Sequence, residues 1–386
     1  MAKLIASILP LLHKYDPQWE IVLKLGLKWI GALFLLILLY LFFWPVAIDP
    51  VKWHAPEDAG YVGSFARNNQ LSNLELLEIG IIHGPEDVAA QTTLEGLRLW
   101  VSSQEGKIVE LTPSLNAVYQ RADTGGVPLG IEFDAMGNLI IADAHKGLLS
   151  MSPDGSLTTL TNSVDDTPIL YADDLDISPD GVIYFSDAST KFGAEAAGST
   201  LKGSQLELLE HGHTGRVLAY DPQTRATSVI ASELSFPNGV AMGPDGVSIL
   251  VVETGEYRIH RIWISGPRKG QSDIIIDNLP GFPDNINRGP NGTYLIGLVS
   301  KRVAFLDDMS AKPALRKLAL RLPEWVQPKP QNYGFVFQMD VTGTIVNTWQ
   351  DPSGAYPLTT GAIITDDGYL YVSSLGAKKL GRKKLE

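Results

Sequence analysis

From about residue 80 onward the chain alternates short apolar runs with small polar turns, and one arrangement of the two keeps returning. A small, polar or acidic tripeptide opens an apolar run, a Gly turn follows, and a second apolar run comes next. The copies are Pro85-Glu86-Asp87-Val88, Pro128-Leu129-Gly130-Ile131, Ala172-Asp173-Asp174-Leu175, Pro237-Asn238-Gly239-Val240, Pro283-Asp284-Asn285-Ile286 and Thr360-Gly361-Ala362-Ile363. The turns include Met136-Gly137-Asn138, Pro179-Asp180-Gly181, Pro244-Asp245-Gly246 and Pro290-Asn291-Gly292. The runs after them, such as LIIADA, VIYFSDA and TYLIGLV, are rich in β-branched and aromatic residues and predict strands.

The central residues of the copies step by 43, 44, 65, 46 and 77 along the chain. Steps near 44 match the period of propeller blades, about 40–50 residues. Six copies predict an all-β, six-bladed β-propeller over residues 60–386, with strands around a central channel. An open β-sandwich would not set the same tripeptide at the same strand start each time. The two long steps call for insertions. Lys191–His213 breaks the strand pattern and predicts a short helix, and Pro323–Pro330 predicts a Pro-rich loop.

One segment ahead of the repeats differs in kind. Trp29–Ile48, WIGALFLLILLYLFFWPVAI, carries no charge and is long enough to cross a bilayer core of about 30 Å as one helix. Trp29, Tyr40 and Trp44 suit its interfaces. Lys3, Lys14, Lys24 and Lys28 precede it, whereas Asp49, Glu57 and Asp58 follow with Lys52. The positive-inside rule then makes residues 1–28 a cytoplasmic tail and 29–48 a signal-anchor, with the propeller periplasmic, lumenal or extracellular. A cleaved signal peptide would have a shorter apolar region, about 7–15 residues, nearer the start.

The net charge of −12 over 386 residues argues against a nucleic-acid partner, whose phosphates call for clustered Lys and Arg. With no cysteine, disulfides, thiol catalysis and Cys-based zinc sites are excluded.

In a propeller the innermost strands border the channel, so equivalent positions converge there. At the centre of the copies Glu86, Asp173, Asn238 and Asp284 carry oxygen, whereas Leu129 and Gly361 do not; Asp87, Asp174 and Asn285 follow directly. Carboxylates gathered in a channel repel one another and are costly to desolvate. A hard divalent cation removes that conflict, and calcium takes about 6–8 oxygen ligands. The other reading is that these Asp and Asn residues cap strands through their own backbone. Without Cys or paired His at ligand spacing, a zinc-type site is not expected, and His211-Gly212-His213 reads as an ordinary polar loop. Asp180, Asp245 and Asp367 belong to turns.

The stretches Gly215-Arg216-Val217-Leu218-Ala219-Tyr220-Asp221-Pro222, Phe236-Pro237-Asn238-Gly239-Val240-Ala241, Val252-Glu253-Thr254 and Asn278-Leu279-Pro280-Gly281-Phe282-Pro283-Asp284-Asn285-Ile286 resemble the strictosidine-synthase-like family. The wider superfamily holds the gluconolactonases, regucalcin-like, and the paraoxonases, all six-bladed propellers. The resemblance implies a catalytic calcium held by Glu86, Asp173, Asn238, Asp284 and Asn285. Asp173 stands where those relatives have Asn. It also implies a second, structural calcium near Asp87, Asp174 and the backbone of Ile131. Leu129 occupies the first position of the paraoxonase His dyad, and His145 lies near the second. The strictosidine synthase catalytic Glu falls at Gly361, so the resemblance does not imply alkaloid condensation.

The expected activity is calcium-dependent hydrolysis of a small ester or lactone, of the gluconolactonase or arylesterase type. The cation would polarise the carbonyl, with Asp284 or His145 as general base. The alternative is a non-catalytic binding or scaffold propeller in which calcium is structural.

Overall fold

The computed structural model describes residues 17–80, 82–112, 114–115, 117–327 and 329–385. The first sixteen residues of the expected tail lie outside the described residues, as does Pro328 in the Pro-rich loop. The chain divides into two units, Met1–Ala47 with Ala314–Gln327, and Ile48–Pro313 with Pro328–Glu386.

The smaller unit contains a helix over Pro17–Phe43. Within it Ile21–Phe43, with mean hydropathy 2.2, is long and apolar enough to cross a membrane. The helix thus starts earlier than the uncharged run Trp29–Ile48 and stops before its end. Pro45 accounts for the stop: it lacks an N–H and disfavours helical geometry at Trp44. Carbonyls left over at that end accept from the Arg321 guanidinium, Trp44 O at 2.6 Å and Leu41 O at 3.0 Å.

The larger unit is a propeller of six four-stranded antiparallel sheets. The first blade runs Pro85–Thr93, Gly96–Ser103, Lys107–Leu111 and Val118–Asp123, innermost strand first. The next four blades open with Pro128–Phe133, Ala172–Ile177, Pro237–Met242 and Gly281–Arg288. The sixth takes Thr359–Ile364, Tyr369–Ser374 and Leu380–Lys384 from the end of the chain and its outer strand, Glu75–Leu77, from the beginning. Glu75 pairs with Arg382 in register, and their side chains form an ion pair at 2.6 Å. Apolar faces stack between blades. Trp100, Ile108, Ile131 and Ile141 share one such layer, and Leu250, Ile259, Ile286, Ile296 and Phe335 share another.

The recurring tripeptide has a structural meaning. In every blade the inner strand slips register by one residue against its neighbour, over Pro85–Val88, Pro128–Ile131, Ala172–Leu175, Pro237–Val240, Pro283–Ile286 and Thr359–Ala362. Each slip is a β-bulge, which takes residues out of the ladder and re-aims their side chains. Asp and Asn are tolerated at these strand starts because the bulge releases them from the pleat. The sixth copy sits one residue earlier than the sequence alignment placed it. Thr359 pairs with Ser374 and Ala362 with Val372, so Thr360, not Gly361, is the first bulged residue.

Both long insertions leave from the ends of second strands, next to the bulges. The third blade's insertion follows Ile183–Asp187 and carries the helices Ala194–Ala197 and Thr200–Glu210. The fifth blade's insertion follows Tyr294–Lys301 and includes the helix Ala304–Asp308.

Candidate metal centre

The first bulged residues form a ring of Glu86, Leu129, Asp173, Asn238, Asp284 and Thr360, all buried. Their polar members bond to one another. The Asn238 amide donates to Asp284 Oδ1. Asn285, the second bulged residue of the fifth blade, donates to Glu86 Oε1 at 3.0 Å. The Thr360 hydroxyl donates to the Glu86 carbonyl at 2.6 Å. These bonds engage one oxygen of each carboxylate, Glu86 and Asp284, and the amide nitrogens of Asn238 and Asn285. Glu86 Oε2, Asn238 Oδ1, Asp284 Oδ2 and Asn285 Oδ1 are buried with no hydrogen-bond partner among the described residues.

Partnerless buried oxygens are costly. Their electrostatics agree with that cost. Burial drives Glu86 well above the ordinary carboxylate range, with further increments from Asp284, Asp87, Asp173 and Asp174. Asp173 rises for the same reasons, burial and then Asp284. Burial lifts Asp284 to about 7 against the opposing hydrogen bond from Asn238. Neutral and anionic oxygens with no N or S donor among them are the set a hard cation takes. The residues present therefore fit calcium.

The second bulged residues behave differently. Asp87 Oδ2 accepts from Ile131 N at 3.0 Å, one blade on. Asp174 Oδ2 accepts from Val240 N at 3.0 Å, again one blade on. Asp87 also holds Asn287 Nδ2 at 3.4 Å. These carboxylates staple neighbouring blades through backbone N–H groups. Of the residues expected around a second calcium, Ile131 offers its N–H to Asp87, and the Asp174 carboxyl, raised by burial, is near enough to Asp87 to be raised further. Around the ring the second position alternates Asp87, Gly130, Asp174, Gly239, Asn285 and Gly361. The glycines make room: a Cβ on Gly130 would lie 2.4 Å from Asp174 Oδ1, and one on Gly239 2.7 Å from Asp284 O. At this second position, side chains and glycines therefore alternate around the ring.

One wall beside the ring is apolar. Leu129, Ala144, Tyr171, Ala188, Ala194 and Phe236 pack together. The Tyr171 hydroxyl donates to Thr200 O at 2.9 Å, and Thr200 Oγ1 donates to Gln104 Oε1 at 2.8 Å, tying the third blade's insertion to the first blade. Phe236, just ahead of Asn238, has φ +53°, a conformation seldom taken by a bulky residue and one that clusters at functional sites. His145 follows the second strand of the second blade on this face, and its Nε2 is buried without a partner among the described residues.

Buried carboxylates also cap the second strands. Asp187 Oδ1 accepts from Tyr171 N at 2.9 Å and Oδ2 from Arg216 Nε at 2.9 Å. Glu253 accepts from Ser235 N at 2.8 Å and from Arg258 Nε at 2.7 Å. They hold the loops that lead into Asp173 and Asn238.

One constellation escaped the sequence reading. His211 and His213, taken there as ordinary loop residues, bring both Nε2 atoms to Glu256 Oε1, at 2.7 and 3.1 Å. The partner lies 45 and 43 residues away on the next blade, so the His-x-His spacing was the only signal available. Burial raises Glu256, but hydrogen bonds from His211 and then His213 outweigh it and hold the carboxyl well below its usual range.

The strictosidine synthase family matches residues 173–267, and the strictosidine synthase-like N-terminal family matches residues 63–111. The adipocyte plasma membrane-associated protein of Bos taurus is 31% identical over 361 residues, covering 88% of this chain and 85% of the bovine one. Strictosidine synthase-like protein 7 of Arabidopsis thaliana is 34% identical over 322 residues, 82% of each chain. Among solved structures, a gluconolactonase of Xanthomonas campestris superposes with TM-score 0.58 at 16% identity, covering 88% of this chain and 96% of that one. A calcium-binding regucalcin of Agrobacterium tumefaciens gives 0.56 at 15% identity, covering 80% and 92%. At such identities the two structures attest a shared fold. With its bulged inner strands and these relatives along most of its length, the chain belongs to the strictosidine-synthase-like family of six-bladed β-propellers.

Proposed function

We propose that this protein is a membrane-anchored, calcium-dependent hydrolase of small esters or lactones, of the gluconolactonase type. The observation that carries this reading is the set of partnerless buried oxygens on Glu86, Asn238, Asp284 and Asn285. Together with Asp173 they would hold the ion. Bound calcium would supply Lewis-acid polarisation of the substrate carbonyl. The structural neighbours, a gluconolactonase and a calcium-binding regucalcin, support both halves of the reading.

The chain's own groups divide the remaining work. Asn238 fixes Asp284 Oδ1 and leaves Oδ2 directed elsewhere. Asp284 would serve as ligand and general base at once, its carboxylate taking the proton of the attacking water. His145, with its partnerless Nε2, is the second candidate for that proton. Leu129, Tyr171 and Phe236 offer an apolar wall to the acyl or aryl part of the substrate and keep bulk water from it. Thr360 and Gly361 carry no carboxylate, which argues against Glu-catalysed condensation. The apolar helix Ile21–Phe43 would be the anchor, with Lys24 and Lys28 toward the cytoplasm and the propeller across the membrane.

A non-catalytic, calcium-stabilised binding propeller is favoured by one feature: Leu129, in place of a titratable group, belongs to the apolar cluster. Hydrolysis of phenyl acetate and a panel of lactones separates the two readings, with calcium, with chelator, and in Asp284→Asn. Calcium-dependent turnover that falls by about 100-fold or more in a folded Asp284→Asn protein supports the hydrolase. No turnover on any panel member, with calcium still raising the melting temperature, overturns it.

A further inference from the structure

We propose that His211, His213 and Glu256 form a second cation site, for a transition metal of the zinc class. It lies between the third blade's insertion and the loop Thr254–Glu256 of the fourth blade, built from none of the calcium-ring residues. Two imidazole nitrogens and one carboxylate oxygen lie within 4.8 Å of one another. Nitrogen donors with a single carboxylate are what zinc takes and what calcium does not. In tetrahedral coordination with bonds of about 2.0–2.1 Å, ligand atoms sit about 3.3 Å apart, so small side-chain adjustments admit the ion.

The surroundings are those of a built site. His211 is 1% exposed and stacks on Trp53, centroids 3.9 Å apart and planes 9° from parallel. Its Nδ1 faces Ser235 Oγ at 3.4 Å, the kind of outer contact that orients a ligating imidazole. Three non-glycine residues hold left-handed backbone here: His211, His213 and Tyr257, with φ +56°, +54° and +56°. Such conformations are uncommon and gather where the fold dictates side-chain placement. Arg258, bonded to Glu253 Oε2 at 2.7 Å, pairs with Glu256 only at 3.9 Å and on Oε2, the oxygen that the two imidazoles do not use. His213 is partly exposed, giving the ion an entry and a position for water.

An ion here would fix the insertion that carries Thr200, and through it the wall at Tyr171. It would also pin the segment around Trp53, whose neighbours Asp49 and Val51 donate to Glu210 at 2.7 and 2.8 Å.

The test uses the full chain in detergent, without a histidine tag, stripped of metal and then saturated with calcium. Zinc is titrated against a chromophoric chelator, and cobalt is used as a spectroscopic substitute. The expected result is one tightly held zinc per chain and a tetrahedral cobalt spectrum. His213→Ala, and separately Glu256→Gln, should weaken zinc at least about 100-fold with calcium stabilisation intact, since loss of outer-shell partners alone costs about 10–100-fold. Asp284→Asn should leave zinc binding unchanged, which keeps this site's test apart from that of the hydrolase. Failure of the wild-type chain to retain zinc against the chelator, or retention unchanged in both His213→Ala and Glu256→Gln, would overturn the proposal.

Discussion

Removing calcium should destabilise this propeller in a way that depends on pH, and Asp284 sets the scale. Burial raises its pKa from the ordinary 3.8 to about 7. Between those two values the folded chain binds more protons than the unfolded one, so stability without the cation falls as pH rises. It is intact below about pH 4 and fully reduced above about pH 7. At about 1.36 kcal/mol per tenfold change in proton affinity, the rise from 3.8 to about 7 makes ionised Asp284 cost about 4 kcal/mol. Burial moves Glu86 and Asp173 in the same direction, which adds to the effect. Calcium at about 1,000 times its Kd stabilises by about 4.1 kcal/mol. At about 2 °C per kcal/mol for a domain of this size, the melting temperature with calcium should exceed that with chelator by about 8 °C near neutral pH. The gap should nearly vanish at about pH 4.5, where the carboxyls are protonated and calcium no longer binds well. Thermal melts of the full chain in detergent at constant ionic strength measure it. Asp284→Asn provides a second reading: in chelator near neutral pH it should melt several degrees above wild type, because a neutral amide replaces a buried charge. A calcium gap of equal size at both pH values, or no gap near neutral pH, would refute this account of the ring.

The ring's close packing makes Gly130→Ala destabilising by about 1–3 kcal/mol or more, since the new Cβ would lie 2.4 Å from Asp174 Oδ1 and 2.7 Å from its Cα; an unchanged denaturation midpoint would show that the neck has slack. Arg216→Met should cost about 3–5 kcal/mol by leaving the buried Asp187 carboxylate without its cation. Adding Asp187→Asn to that variant should restore part of the loss, and a double variant no better than the single one would place the damage elsewhere.

Much of the candidate ring was legible in the chain because its cause is local. Asp284 and Asn285 stand out at a strand start, where such residues are usually depleted, and a bulge is a short-range device that leaves a fixed tripeptide behind. Glu86, Asp173 and Asn238 were found by the same sign. Thr360 was placed one residue off because Thr and Gly at a strand start carry no comparable mark, and only the pairing of Thr359 with Ser374 sets the register. The extent of the apolar helix was blurred for a related reason. Composition marks Trp29–Ile48, whereas the backbone can continue through Lys24 and Lys28 and cannot pass Pro45.

The sequence by itself determined the repeat, the strand-turn-strand character of each blade, the apolar helix and the oxygen-rich residues at the inner strand starts. These follow from side-chain type and spacing over a few residues. The tertiary structure decided which oxygens are left without partners and which become staples. Asp87 and Asp174 spend an oxygen on backbone N–H groups 44 and 66 residues away, whereas Glu86 meets Asn285 across 199 residues. It also decided that Glu75–Leu77 completes the last blade, and that His211 and His213 share one carboxylate. Each of these depends on which group the closed ring of blades sets opposite a given atom. No stretch of chain short enough to show a pattern contains both partners.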